Sequence, residues 1–370
     1  MNLAILGTRG IPANYGGFET FAEELSVRLV QRGHRVTVYG RSHFIDPALQ
    51  GRFYRGVLIR LLPTIRHKYL DTVVHTFLSC VDCLRRGYDA VLICNAANSA
   101  VAFLPRLAGT RVALNVDGVE RKRKKWNTLG RAYYRVGEWL ATKLPDAIVT
   151  DATVIERYYH DAYGAASVMI PYGVDAQRVT TTAALERFGV RLGTYVLYVG
   201  RLEPENNADL VIRAFRQSQT DAQLVIVGDA PYASAFKTRL KELAGDDSRI
   251  IFTGFVFGAG YREFLSHALC CVQAGEVGGT HPALVEAMGF GNCIIANGTP
   301  ENAEVVGDAA LLYRVNDADD LRAQLVRVLA DPTLRADYSR RAEVRARERY
   351  SWDRVVDQYE ALFRRLTGLS

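Results

Sequence analysis

The protein has 370 residues, of which 49% are hydrophobic and 23% are charged. Such a chain is too long for one ordinary core, and it predicts two folded domains of roughly 150–200 residues each. The net charge of +6 is uneven, because residues 1–172 carry +9 and the remainder carries −3. This asymmetry indicates an anionic partner for the first half, such as nucleic acid, a membrane surface or a phosphorylated substrate.

Neither a signal peptide nor a membrane span is predicted. Residues 2–6 are too short for the apolar region of a signal peptide, and polar side chains interrupt the longest apolar run, residues 90–104. Cys80 and Cys83 form a CxxC pair in an apolar stretch, without a second pair or a histidine at zinc-ligand spacing. We therefore expect buried thiols, no bound metal and a cytoplasmic protein that is at most peripheral on the membrane.

Apolar runs alternate with helical patterns along the first half. The first strand ends at Leu6, a loop with four glycines follows, and apolar residues from Phe18 to Leu29 recur at helical spacing. This alternation is typical of a doubly wound α/β sheet. Strands are predicted at residues 3–6, 35–39, 57–61, 90–93, 111–115 and 147–150.

The alternation restarts after Ile-Pro-Tyr-Gly-Val-Asp at residues 170–175, which predicts domains 1–172 and 173–350. Residues 351–370 are expected to form a helix that packs back on the first domain, because apolar residues from Val355 to Phe363 share one side. Strands are predicted at residues 195–199, 223–227, 250–253, 269–273 and 293–296, with helices at 209–218 and 281–288.

Ligands of doubly wound sheets bind beyond the carboxyl ends of the strands. The loops after Leu6, Asn115, Val199, Val227 and Gln273 are therefore expected to line a cleft between two facing Rossmann-like domains.

The loop after the first strand suits phosphate. Gly16 and Gly17 stand where a helix begins, and backbone N–H groups at a helix N-terminus attract anions. The loop matches neither the dinucleotide fingerprint nor a P-loop. A plain turn explains these glycines equally well.

Two loops of the second domain carry similar signals. Arg201 directly follows a strand, where a guanidinium suits a diphosphate leaving group, although a surface ion pair with a neighbouring glutamate is an equal alternative. Gly279 and Thr280 lead into a helix and offer N–H groups to an anion. Glu286, about one turn into that helix, is either a ligand for ribose hydroxyls or a solvated side chain.

Together these segments resemble the retaining glycosyltransferases of family 4, which have the GT-B fold, over essentially the whole chain. The matching segments are Gly200–Leu202, the linker 170–175 and Glu286–Met288. Residues 7–19, Asp117-Gly118 and Lys122–Trp126 are similar to bacterial rhamnosyltransferases that build capsule and exopolysaccharide units on a lipid carrier.

The resemblance implies transfer of a sugar, rhamnose by this likeness, from a nucleoside-diphosphate donor to a lipid-linked saccharide, without a metal or another cofactor. Residues 1–172 would face the acceptor and residues 173–350 would bind the nucleotide sugar. The implied catalytic residues are Arg201 and Asp117. The implied donor-binding residues are Gly16, Gly17, Arg201, Asn206, Gly279, Thr280 and Glu286.

The sequence departs from the family at two positions. A lysine that usually follows the arginine by five residues is Asn206 here, so one cation on the diphosphate is lost. We expect Arg9 or the basic loop to compensate. The glutamate that usually precedes Glu286 by eight residues is Gly278, and Glu276 stands two residues earlier. The rhamnosyltransferase subgroup shares this feature.

The basic segment Arg121–Trp126 is predicted to continue as one cationic, aromatic-bearing helix towards Leu140. Such a helix suits an anionic membrane surface or a lipid pyrophosphate, and a core-packed helix with a solvated basic face is the alternative. No nucleic-acid module is recognised, so nucleic acid is not an expected partner. The candidate acceptor or membrane residues are Lys122, Lys124, Lys125 and Trp126.

Three other functions stay open. The first is transfer of a different hexose by the same fold, the second is a nucleotide-sugar epimerase, and the third is a protein that binds nucleotide sugars without catalysis. An epimerase uses no acceptor, so it would leave the basic segment unexplained. A dehydrogenase is disfavoured, since the dinucleotide fingerprint is missing.

Overall fold

The structure is a computed structural model that describes residues 1–13, 16–67, 70–124, 126–230 and 233–369. The chain divides into two compact units. The first comprises Met1–Lys122, Trp126–Tyr172 and Trp352–Ser370, and the second comprises Arg123–Lys125 and Gly173–Ser351.

The first unit contains one sheet in the order β3-β4-β2-β1-β5-β6-β7-β8, in which β3 alone pairs antiparallel. Its central strands are buried and almost entirely apolar, as a sheet covered on both faces requires. The elements are β1 Asn2–Leu6, α1 Gly17–Gln31, β2 Arg35–Arg41, β3 Phe53–Tyr54, β4 Val57–Leu62, α2 Asp71–Cys83, β5 Ala90–Cys94, α3 Phe103–Arg106, β6 Arg111–Asn115, α4 Thr128–Ala141, β7 Ala147–Thr150, α5 Thr153–Tyr163 and β8 Val168–Met169.

The second unit contains a parallel sheet in the order β11-β10-β9-β12-β13-β14. Counted within the unit this order is 3-2-1-4-5-6, the Rossmann arrangement. The elements are α6 Ala183–Arg187, β9 Tyr195–Val199, α7 Ala208–Arg216, β10 Gln223–Val227, α8 Ser234–Ala244, β11 Ile250–Gly254, α9 Gly258–His267, β12 Cys270–Gln273, α10 Pro282–Gly289, β13 Cys293–Asn297, α11 Pro300–Val306, β14 Leu311–Tyr313, α12 Ala318–Ala330 and α13 Pro332–Arg349.

The last helix, α14 Trp352–Thr367, belongs to the first unit. Its buried side packs beside α1, where the ring of Phe21 lies 5.5 Å from that of Tyr359 and 6.2 Å from that of Trp352. Tyr359 also accepts a hydrogen bond of 3.0 Å from the Asn115 side chain at the end of β6. The helix therefore supports a strand end at which ligands of such sheets bind.

All six cysteines are buried and free. Burial raises the pKa of the Cys83 thiol to about 12, so Cys83 is an un-ionised and inert thiol at neutral pH. The prediction of buried thiols is confirmed. In the described ranges, no helix is both long and apolar enough to cross a membrane.

Substitution of two glycines that have the same φ angle tests how closely the backbone packs in the first sheet. Gly7 and Gly33 both have φ +87°, but a Cβ at Gly7 would lie 2.4 Å from the Cys94 carbonyl oxygen, whereas nothing lies within 4 Å at Gly33. Gly33→Ala should cost about 1–2 kcal/mol of unfolding free energy through φ strain alone. Gly7→Ala should cost about 1–3 kcal/mol more, because the backbone of β5 must move. Urea denaturation of both variants measures the difference, and equal losses would contradict this packing.

Candidate active site

Each sheet has one point where its strand order reverses. In the first unit it lies between β1 and β5, and in the second between β9 and β12. Loops leave these neighbouring strands in opposite directions and open a crevice at their carboxyl ends. The sequence named the loops after β1, β9 and β12 correctly as crevice-lining, but it missed the loop after β5.

Two glutamates of α1 fasten the loop after β1. Glu19 accepts a hydrogen bond of 2.9 Å from the Arg9 backbone, and Glu23 accepts one of 2.7 Å from the Ala13 backbone. Gly16 is the extended residue before the 15-residue helix, and Gly17 is its first residue. The first-turn N–H groups of α1 therefore open onto this loop, as an anion site requires.

Asp117 has φ +57°, which is uncommon for a residue other than glycine. Its backbone N–H donates to the Asn115 side chain at 2.9 Å, and its carboxylate accepts a hydrogen bond of 3.1 Å from Tyr172. Burial raises the pKa of Tyr172 well above its ordinary value, so the hydroxyl stays a donor. Such a held, strained conformation marks a candidate functional residue.

Asn95, in the loop after β5, is a candidate site residue that was not predicted from the sequence. It has φ +77°, and its side chain accepts a hydrogen bond of 2.8 Å from the Ala97 backbone. Its own N–H donates to the Asn115 carbonyl at 2.8 Å. Asn95 therefore ties the crevice loop of β5 to the end of β6.

Arg201 leaves the carboxyl end of β9 at the crevice of the second unit. Among the described residues, no carboxylate forms an ion pair with its guanidinium, so the alternative of a pair with Glu203 or Glu205 is not observed. The Asn206 side chain donates to the Arg201 carbonyl at 2.7 Å, and the Asn206 carbonyl accepts from Tyr198 at 2.9 Å. Asn206 thus holds the Arg201 backbone and adds no charge.

The loop before α10 has no room for a side chain at Gly278. A Cβ there would lie 2.4 Å from Cε1 of His281, the residue that precedes the helix. A larger residue at position 278 would therefore require the His281 ring to move. Gly279 and Thr280 are buried beside it, and the Gly279 N–H meets no acceptor among the described residues.

Glu286 lies in α10 and accepts a hydrogen bond of 2.6 Å from the Tyr261 hydroxyl. Burial and the adjacent carboxylate raise the pKa of Tyr261 well above its ordinary value, which keeps this donor protonated. The partly buried carboxylate is therefore an oriented side chain, and the alternative of a purely solvated residue is not observed.

A network of asparagines supports the loop after β12, and the sequence analysis missed it. Asn207 and Asn297 both donate to the Ala274 carbonyl, at 3.0 and 3.1 Å, and both also bond the Asn316 side-chain oxygen. Asn316 in turn donates to Glu276 at 2.6 Å. Asn297 directly follows the predicted strand 293–296, whereas Asn207 and Asn316 stand in loops that carry no sequence signal.

The basic segment does not form the predicted continuous helix. α4 begins at Thr128 because Asn127 caps it, accepting from the Gly130 N–H at 2.9 Å. Arg121 lies before the helix and donates to Glu138 at 3.1 Å. The prediction of one helix from Arg121 towards Leu140 is therefore wrong.

The four candidate acceptor or membrane residues occupy different surroundings. Lys122 lies over the Tyr158 ring, 5.9 Å from its centroid. Lys124 forms a 2.6 Å ion pair with Glu276. Trp126 stacks near Tyr134 and donates to Glu120 at 3.3 Å, and Lys125 lies outside the described residues.

Comparisons with known proteins agree with this arrangement. Residues 192–345 match the family of glycosyl transferases group 1, and residues 91–175 match a domain of unknown function, DUF1972. Residues 192–345 are therefore similar to group 1 glycosyltransferases, and family 4 stays a prediction.

Curated relatives and solved structures are similar to the chain in different ways. A phosphatidyl-myo-inositol mannosyltransferase of Mycolicibacterium smegmatis is 32% identical over 57% of this chain and 55% of its own length. A GDP-mannose-dependent phosphatidylinositol monomannoside mannosyltransferase of the same organism is 25% identical over 89% of both chains. A sucrose-phosphate synthase from Thermosynechococcus elongatus superposes over 100% of both chains with a TM-score of 0.82 and 18% identity.

These matches confirm the predicted α/β class and the GT-B fold. In the first three curated relatives the chain spans about half of the relative's length, between 45 and 57%. The rhamnosyltransferase subgroup stays a prediction.

His281 provides a pH test of the site. Burial, followed by the nearby charges of Arg123 and Arg201, lowers the pKa of His281 to about 4. The unfolded chain therefore binds more protons than the folded one between about pH 4 and 6.5, and His281 adds stability that is lost as the pH falls through this window. Relative to His281→Asn, the wild type should gain about 1–3 kcal/mol from pH 4 to 7. Denaturation at both pH values checks it, and a constant difference would contradict a neutral, enclosed ring.

Proposed function

We propose that the chain transfers a hexose from a nucleoside-diphosphate sugar to a lipid-linked saccharide. The observation that carries this proposal is the crevice between β9 and β12, where Arg201 and the N-terminus of α10 share one sheet edge. No carboxylate of the described residues pairs with Arg201. A guanidinium and helix N–H groups bind a diphosphate and stabilise its charge as the glycosidic bond breaks.

The proposed roles of the second unit follow its geometry. Arg201 binds the diphosphate, and the Gly279 and Thr280 N–H groups complete the anion site. Glu286, oriented by Tyr261, accepts hydrogen bonds from the ribose hydroxyls. These groups supply positive charge without a metal ion, so we propose that transfer withstands EDTA.

For the first unit, the proposed ligands are acceptor groups and phosphate. Asp117, held in its strained conformation by Asn115 and Tyr172, faces the transferred sugar or the acceptor. Gly16 and Gly17 offer N–H groups to phosphate. We propose retention of anomeric configuration through attack on the same face as the leaving group, which depends on positioning more than on a protein base.

Two observations bear on the identity of the transferred sugar, and they differ. The motifs of the first half resemble rhamnosyltransferases, whereas the similar curated proteins are named for mannosyl and N-acetylglucosaminyl transfer. Rhamnose remains the proposal, and mannose is its first competitor. Assays with dTDP-rhamnose, GDP-mannose and UDP-N-acetylglucosamine distinguish them, since one donor should dominate.

A peripheral position on the membrane is part of the proposal. The outward side of α4 carries Leu129, Val136 and Trp139, which are 78, 55 and 51% exposed, and the exposed Arg131 and Arg135 flank it. An apolar stripe with cationic flanks suits the interface of an anionic bilayer. Further exposed apolar side chains stand on α2 and α3 or directly after them, and α2 contacts both α3 and the turn at 96–101 beside α4. They are Phe77, Val81, Leu84, Phe103 and Leu107.

The alternatives differ in what they do to the donor. An epimerase would convert the nucleotide sugar without an acceptor, and a non-catalytic binding protein would leave the sugar intact. Incubation of the donor with and without a lipid-linked acceptor separates them. Release of nucleoside diphosphate that depends on the acceptor supports the transferase.

Arg201→Ala should reduce transfer by about 2–4 kcal/mol of activation free energy, because the leaving diphosphate loses its guanidinium partner. Arg347→Ala is the matched control, since that side chain is 73% exposed on α13 and pairs with Glu343 one turn away. Initial rates with saturating donor measure both variants. Near-normal turnover of Arg201→Ala would reject the proposed role.

Val136→Ser, combined with Trp139→Ser, should reduce binding to vesicles that contain anionic lipid, because about 25 cal/mol per Å² of apolar contact is lost. Val326→Ser on α12 of the second unit, 46% exposed, is the matched control. Co-sedimentation measures binding, with nucleotide binding in solution as a check of folding. Unchanged sedimentation of the α4 variant would refute docking through this helix.

A further inference from the structure

We propose that Arg123 is the second cation for the donor diphosphate and takes the place of the lysine that Asn206 does not supply. This inference rests on the proposed transferase function and assigns a residue of the basic segment to the donor site. Arg123 would contact the phosphate directly, and Glu205 would position the Arg123 guanidinium.

The position of Arg123 carries the proposal. Residues 123–125 belong to the second unit, and Arg123 Nη1 lies 3.6 Å from Glu205 Oε1 in the turn after Arg201. The next residue, Lys124, pairs with Glu276 in the loop before α10. The two loops are joined directly, since the Glu276 N–H donates to the Glu205 carbonyl at 3.0 Å. Arg123 therefore lies at the β9–β12 crevice.

Glu205 explains why an arginine stands there. Its side chain is fully buried, and among the described residues neither carboxylate oxygen accepts a hydrogen bond. A buried carboxylate requires a cation, and Arg123, whose side chain is 8% exposed, provides it. The 3.6 Å separation exceeds a hydrogen bond, so the contact is an ion pair that places the guanidinium without the bidentate geometry of a tight carboxylate pair.

The charge of the ligand supplies the reason for a second cation. A diphosphate carries at least two negative charges at neutral pH, and Arg201 alone offsets one. Asn206 is neutral, and its amide is bonded to the Arg201 carbonyl. The lowered pKa of His281, to which both Arg123 and Arg201 contribute after burial, is consistent with two guanidinium groups near one ring.

A purely structural Arg123 would only neutralise Glu205, and the experiment separates these roles. Glu205→Gln removes the carboxylate and keeps the cation. The double variant Arg123→Met with Glu205→Gln removes both charges together, so the Glu205 carboxylate is not left buried without the Arg123 cation. A triple variant adds Asn206→Lys to restore a cation from the other loop. Unfolding midpoints confirm that each variant is folded.

Isothermal titration calorimetry with UDP, GDP and dTDP, and with the corresponding monophosphates, measures the effect on the full-length chain. The double variant should bind the preferred diphosphate about 10- to 100-fold more weakly, with the monophosphate affected far less. Glu205→Gln alone should bind the diphosphate at least as tightly as the wild type. The triple variant should recover part of the lost affinity.

The outcomes distinguish two failures. Unchanged diphosphate affinity in the folded double variant, or an equal loss for monophosphate and diphosphate, would overturn the role of Arg123 and leave the transferase proposal standing. A wild type that binds none of the three diphosphates would overturn the proposed function itself.

Discussion

The position of Arg201 depends on a close backbone contact between the exits of β9 and β10. A Cβ on Gly228, after β10, would lie 1.9 Å from the Gly200 carbonyl oxygen, so the two loops touch through bare backbone. Gly200 and Leu202 donate to the carbonyls of Val227 and Asp229 at 3.1 and 3.3 Å. The backbone of Arg201 is thereby held between two fixed peptide groups at the edge of the crevice.

The opposite wall of this crevice depends on buried polar groups. Side-chain amides of Asn207, Asn297 and Asn302 donate to the Ala274 and Gly275 carbonyls of the loop after β12. A buried amide left without its partners costs about 1–3 kcal/mol, so such a network stabilises one loop conformation over its alternatives. The proposed anion site before α10 therefore has a loop that is ordered by internal hydrogen bonds, as a site for transition-state charge should be.

In the first unit, close backbone packing and buried hydrogen bonds likewise hold the loops where the strand order reverses, between β1 and β5. Gly7 approaches the Cys94 carbonyl, and the loop that follows is fastened by two glutamates of α1. At the end of β6, Asn115 joins Asp117 to the Tyr359 hydroxyl of α14. A helix more than 240 residues away along the chain therefore supports a candidate acceptor residue.

The strands and helices of both units could largely be predicted from the sequence, because local periodicity determines where they form. The predicted strands at 111–115, 147–150, 195–199 and 223–227 agree residue for residue with β6, β7, β9 and β10. Glycines before a helix, and an arginine after a strand, led to the proposed phosphate loops, because ligand sites follow strand ends in this fold class; their binding of phosphate stays a prediction. Short edge strands such as β14 lacked enough residues to show a period.

Only the tertiary structure decided which side chains meet. The asparagine network, the His281 ring over Gly278 and the pairing of Arg123 with Glu205 join residues that are distant in sequence or stand in loops, where no periodicity exists to reveal a contact. The basic segment is another case in which periodicity was insufficient. Asn127 is the N-cap at which α4 begins, so Arg123 lies outside the helix that was predicted to include it. Local sequence determined the elements of this protein, and long-range packing determined the chemistry at their ends.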